Sequence, residues 1–204
     1  MTLVRLLDLI GIGVFAISGA LAAGRKRLDL LGVFVLAAVT AIGGGTLRDL
    51  LLDRQPIFWL ADPTYLGVII AAVAITFAYV RWRRPPLASL LVADALGLAL
   101  FSVAGAQIAE GAGLPAVSVV LLGTMTGVGG GVIRDVLSTE IPFVLRRGNL
   151  YASAVMFGIA VYLFLESVGL PRQQASLTGM GVIAALRLAA IRWELKLPVF
   201  EVDE

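Results

Sequence analysis

The sequence predicts an all-α integral membrane protein of seven transmembrane helices, arranged as two inverted three-helix repeats plus one extra C-terminal helix. Three observations carry that expectation. The 204-residue chain is 59% hydrophobic and only 15% charged, with a mean hydropathy of +0.97, an excess that belongs in lipid. It repeats itself at an offset of 86 residues. The stretch GGGTLRDLL at 43–51 also returns as GGGVIRDVL at 129–137, each copy inside a long apolar segment.

The repeat extends well beyond the glycines. Asp8 aligns with Asp94, Gly11 with Gly97, Phe15 with Phe101, Thr40 with Thr126, Pro56 with Pro142, Tyr65 with Tyr151 and Pro85 with Pro171. Coincidences of Leu, Val and Ala mean little in such a chain, whereas coincidences of Asp, Pro and Tyr mark an internal duplication. The units are 1–86 and 87–172, followed by a seventh helix and tail over 173–204. Apolar runs place spans at 3–23, 28–52 and 63–82, then 87–109, 114–138 and 148–169, and finally 175–193. Three spans per unit is an odd number, so the second unit enters the membrane from the opposite side. The first span has the outline of a signal peptide, but Asp8 interrupts it and it has a counterpart in the second unit, so it reads as a retained helix.

Basic residues set the expected orientation. Arg25, Lys26, Arg27, Arg81, Arg83, Arg84, Arg146, Arg147, Arg192 and Lys196 fall on one side, and Arg5, Arg54 and Arg172 on the other. This bias puts the N-terminus outside and the C-terminal tail, with Glu201, Asp203 and Glu204, in the cytoplasm. Trp59, Trp82, Tyr151 and Trp193 sit at predicted helix ends, as interfacial aromatics do. The net charge of +2 is scattered, without the basic stripe that nucleic acid requires. The chain has no Cys and no His, which removes thiolate chemistry and Cys/His metal sites, and no catalytic, cofactor or metal site is expected.

Function is expected at the doubled motif. Gly43, Gly44, Gly45 and Gly129, Gly130, Gly131 each weaken a helix by roughly 1 kcal/mol relative to alanine, so the second and fifth spans are expected to break there. Arg48, Asp49, Arg134 and Asp135 are costly at membrane depth and point to a water-accessible path, with Asp8, Asp94, Thr40 and Thr126 in support. Adjacent helical positions point about 100° apart, so Arg and Asp of one dipeptide are not expected to pair with each other. Pairing is expected instead within each unit, Asp8 with Arg48 and Asp94 with Arg134, leaving Asp49 and Asp135 to face cations. Ser18, Thr40, Thr46, Thr124 and Thr126 fit either a path lining or bonds back within their own helices. Gly11, Gly19, Gly97 and Gly105 are read as packing glycines, with Gly97, Ala104 and Gly105 as candidates for a subunit contact.

With its doubled GGGxxRD and three-plus-three-plus-one spans, the chain resembles the prokaryotic branch of the trimeric intracellular cation (TRIC) channel family over residues 1–193. Its repeat unit is similar to the one labelled a glycine-transporter domain. The resemblance implies a homotrimer in a bacterial or archaeal plasma membrane, each protomer holding a pore permeable to monovalent cations such as potassium and sodium. It also implies kinks at 43–45 and 129–131 beside that pore. Animal members carry a lysine-glutamate pair where this chain has Arg134-Asp135. A secondary transporter of a small amino acid such as glycine, with the same two helices as its substrate site, is the alternative the sequence leaves open.

Overall fold

The computed structural model describes residues 3–83, 85–86 and 88–198. Arg84 and the acidic residues Glu201, Asp203 and Glu204, used above for orientation, lie outside the described residues. Within them are eight α-helices: α1 (Leu3–Arg25), α2 (Leu30–Leu51), α3 (Phe58–Ala61), α4 (Thr64–Trp82), α5 (Ser89–Gly111), α6 (Ala116–Leu137), α7 (Ala152–Ser167) and α8 (Arg172–Trp193). A 3-10 turn lies at Phe143–Leu145. Six helices are long and apolar enough to cross a membrane. The remaining expected span, the sixth at 148–169, is α7, whose 16 residues reach only about 24 Å, short of a full hydrocarbon core.

Local chemistry sets the helix ends. The Asp29 carboxylate accepts the Gly32 N–H at 2.7 Å and caps α2. Pro115 and Pro171 precede α6 and α8, where a missing N–H costs nothing. Past the ends of α5 and α7, Gly113 and Gly169 take φ of 76° and 89°, a left-handed turn that other residues adopt only under strain.

The two units meet along two reciprocal seams. On α1 and α5, a side chain at Gly11 would strike Phe101, and one at Gly97 would strike Phe15. On α2 and α6, a Cβ on Gly44 would overlap the carbonyl oxygen of Thr126, and one on Gly130 that of Thr40. Partners exchange under the repeat offset, which is the signature of a two-fold relation. In both seams the higher number on one helix meets the lower on the other, so α1 and α5 run antiparallel, as do α2 and α6. The second unit is therefore inverted. Loop contacts agree: Arg5–Asp62 (2.6 Å) and Arg172–Glu110 (2.8 Å) join loops at one end of the helices, here face one. Lys26–Glu140 (2.6 Å) and the Asn149–Lys196 bridge join those at the other, face two. Hydrogen bonding from Thr64, with Arg5 nearby, holds Asp62 below the usual carboxylate range, and Lys26 does the same for Glu140.

The expected breaks at the glycine triplets are not there, because α2 and α6 run as unbroken α-helix through 43–45 and 129–131. The triplets serve approach instead. Between helices in lipid, close packing replaces the hydrophobic force, and only glycine lets two backbones touch. The four glycines read as packing residues do pack, but inside the protomer. Gly97 lies under Phe15 and Gly105 under Thr126, so neither belongs to a subunit contact. Tyr151 is also not interfacial: it is 1% exposed, whereas Trp82 and Trp193 stand exposed at their helix ends.

Gly44→Ala and Gly130→Ala should each lower stability by about 1–3 kcal/mol, the cost of overpacking. Gly67→Ala, on α4 with nothing within 4 Å of its new Cβ, should be neutral or raise stability by up to ~1 kcal/mol. Thermal unfolding in mild detergent checks this, and three equal shifts would contradict the crossing.

Candidate functional site

Each Arg-Asp dipeptide stands near the end of its helix and does the same structural job twice. Arg48 Nε donates to Asp49 Oδ1 at 2.9 Å, and Arg134 Nε to Asp135 Oδ1 at 2.8 Å. The second oxygens accept backbone N–H groups, Phe58 onto Asp49 at 3.0 Å and Phe143 onto Asp135 at 2.9 Å. Those bonds fasten the loop that follows each helix, starting α3 in one unit and the 3-10 turn in the other. The same phenylalanines lie against the guanidiniums, Phe58 5.4 Å from Arg48 and Phe143 5.0 Å from Arg134.

This arrangement corrects two expectations. Neighbouring Arg and Asp do pair, because the long arginine stem curls back across the helix end to a carboxylate already fixed by the loop. Asp49 and Asp135 are accordingly buried and engaged rather than free to face cations.

The two units differ in what else the arginine meets. Arg134 Nη1 donates to Asp94 Oδ1 at 2.6 Å and to Ser18 Oγ at 2.7 Å. Arg134 and Asp94 are both fully buried, so the expected Asp94–Arg134 pair is present. The expected Asp8–Arg48 pair is absent among the described residues. Asp8 accepts the Tyr65 hydroxyl at 2.6 Å instead, while the Asp49 carboxylate beside Arg48 gains Arg54 at 3.3 Å. The counterpart Tyr151 is held under Arg187, whose guanidinium lies 4.5 Å from its ring centroid. Ser18 links α1 of the first unit to the cluster of the second, whereas its own counterpart, Ala104, has no hydroxyl to offer.

Ala104 instead lines a cavity of about 30 Å³ between α1, α5 and α8, with Asp8, Gln107, Gln173 and Ser176 as its polar groups. This is room for about two waters. Asp8 and Ser18 lie ten residues apart on α1, about 15 Å. The protomer thus holds a small, mostly apolar cavity with four polar side chains toward face one and a closed ionic cluster toward face two. Thr40, Thr46, Thr124 and Thr126 all donate to carbonyls one turn back on their own helices, the second of the two readings given for them. Of the remaining triplet glycines, Gly43 meets Ile133 and Gly129 meets Leu47, while Gly45 makes room for Phe58 and Gly131 for Tyr151 and Asp94. Phe58 and Phe143 escaped the sequence reading. They follow Pro56 and Pro142 at different distances and slip out of the 86-residue register.

Asp94→Asn should destabilise by about 1.5–3 kcal/mol, since it takes one of two carboxylate partners from a fully buried arginine that keeps Asp135. Asp8→Asn keeps an amide oxygen that can still accept the Tyr65 hydroxyl and should cost no more than about 1 kcal/mol. Chemical denaturation in detergent separates the two, and equal losses would contradict the difference between the clusters.

Comparison with known proteins accords with this architecture. The glycine transporter family model matches twice, over residues 5–81 and 91–167. The inner membrane protein YadS of Escherichia coli K12 is 49% identical over 204 residues, covering 99% of this chain and 98% of YadS. A Vibrio cholerae UPF0126 membrane protein is 45% identical over 98% of this chain and 83% of its own. The crystal structure of the TRIC trimeric intracellular cation channel orthologue from Rhodobacter sphaeroides superposes with a TM-score of 0.90 at 38% identity, covering 96% of this chain and all of that one. A prokaryotic TRIC channel crystallised in 0.5 M KCl gives 0.88 at 34% identity, over 95% and 98% of the two chains. With likeness running through sequence and fold from end to end, the chain belongs to the prokaryotic TRIC channel family, built from a duplicated glycine-transporter-type unit.

Proposed function

We propose that the chain is a passive membrane channel for monovalent cations, potassium and sodium, with one path through each protomer of a homotrimer. The observation that carries this reading is the concentration of buried charge along the α2–α6 seam, in a fold shared with TRIC cation channels. The path enters from face one at the cavity beside Asp8 and meets the Arg134–Asp94–Ser18 cluster about 15 Å further on. Carboxylates attract cations and a guanidinium repels them, so Arg134 is the closing element, and conduction requires it to leave Ser18 and Asp94. Gly43–Gly45 and Gly129–Gly131 border this path and let α2 and α6 shift against each other without side chains to disengage. Arg48, Asp49 and Asp135, with Thr40 and Thr126, hold its walls.

The setting is a bacterial inner membrane, as the YadS relative suggests, with face two and the C-terminus cytoplasmic by the basic bias. Repeats 1–86 and 87–172 supply the path, and 173–204 adds α8 and the tail. Membrane lipids and the other protomers cover the exposed apolar face of Leu31, Phe34, Ile70 and Phe77. A second reading, a transporter of a small amino acid such as glycine, is favoured by the family model's description and by the amides of Gln107 and Gln173 beside Asp8.

Purified chain in liposomes decides between them. Potassium efflux down a gradient, with no saturation at high gradient and no glycine-dependent uptake, is the expected result. Ser18→Ala should raise the flux by releasing one bond on Arg134. Saturable glycine uptake without potassium leak would establish the transporter instead.

A further inference from the structure

On face two, the loop after α6, the end of α8 and the segment beyond it border a second pocket, open to the surface, of about 280 Å³. Its walls carry Arg146, Arg147, Arg187 and Lys196 against one carboxylate, Glu194. Its rim is held by backbone. Gly148 turns the loop with φ of 70°, its carbonyl accepts the Leu197 N–H at 2.8 Å, and Asn149 pairs with Lys196.

Arg187 is the unusual member. It is 1% exposed and donates through Nη1 to Asn149 Oδ1 at 3.2 Å and to the Leu150 carbonyl at 2.7 Å. Its Nε has no hydrogen-bond partner, and it forms no ion pair among the described residues. Asp94 is near but not in contact with it, and a buried cation with no carboxylate in contact calls for an anion or water. The neighbouring basic residues make water alone a poor answer. Arg146 is partly committed, to the Ile141 carbonyl at 2.8 Å and Glu140 at 3.7 Å, but no carboxylate pairs with Arg147 or Lys196 among the described residues.

We propose that this pocket binds a phosphoryl oxyanion, with Arg187 as the buried charge and Arg147 and Lys196 at the rim. Guanidinium forks match phosphate oxygens, and four cations outweigh Glu194 and the negative end of the α8 dipole. The cavity is far larger than the ~10–15 Å³ a single water needs. The same chemistry is offered by an anionic phospholipid headgroup at the membrane surface and by free inorganic phosphate. This site lies apart from the proposed ion path and does not depend on it.

The test uses the full chain in neutral detergent, with phosphatidylglycerol against phosphatidylcholine, and inorganic phosphate against chloride at equal ionic strength. Thermal midpoint and lipid adducts in native mass spectrometry are read. Phosphatidylglycerol alone raising the midpoint and staying bound identifies a lipid headgroup, and phosphate reproducing the shift identifies the free anion. In either case, Arg147→Ala with Lys196→Ala, which leaves the buried part intact, should weaken binding about tenfold or more. Arg81→Ala, a basic residue of face two outside the pocket, should bind like the unaltered chain. No response to either anion, unchanged binding by the double variant, or an equal loss in Arg81→Ala would overturn the pocket.

Discussion

The contact on which this fold depends is the crossing of α2 and α6 at Gly44 and Gly130, where each helix meets a threonine carbonyl of the other. In lipid no hydrophobic force drives helices together, so dispersion between close backbones and the fit of small residues must supply the association. The crossing also fixes where charge goes. Arg48 and Arg134 each follow these crossing glycines on antiparallel helices by about 6 Å, so one is carried toward face one and the other toward face two. A buried ionic cluster in each half of the membrane follows from one backbone contact and one inverted repeat.

Duplication supplied the same parts to both halves, and a few residues then set the halves apart. Ser18 against Ala104 decides which arginine gains a neutral acceptor from the other unit. Tyr65 donates to Asp8, whereas Tyr151 has its ring beneath Arg187 and its hydroxyl beside an Asp94 whose Oδ1 is taken by Arg134. Arg54 adds a second cation to Asp49. Both units keep the same fold, yet one side holds a small cavity beside Asp8 and the other a sealed charge cluster.

Much of this was legible in the sequence because it rests on periodicity and on rare residues in apolar surroundings. The repeat, the inversion, the spans and the Asp94–Arg134 pair all follow from Asp, Arg and Pro recurring at one offset. What escaped depends on distances that spacing does not encode. The triplets cost each helix its propensity, roughly 1 kcal/mol per glycine, but contact with a second helix offsets that loss, and a lone-helix argument cannot contain the second helix. Arg48 and Asp49 pair because a loop bond first pins the carboxylate, and Phe58 sits nine positions away at a spacing its counterpart does not share. Asp8 could not be assigned to Tyr65 rather than Arg48 without knowing which reaches it first.

The asymmetry of the two halves is tested most directly by water access, measured in a chain that has no native cysteine. Ala104→Cys, beside Asp8 in the cavity at the proposed entrance, is expected to react with a small hydrophilic thiol reagent applied from face one. Ser18→Cys, behind Arg134, is expected to stay unreactive under the same conditions. Rapid modification at position 18 with protection at position 104 would contradict the half-closed path.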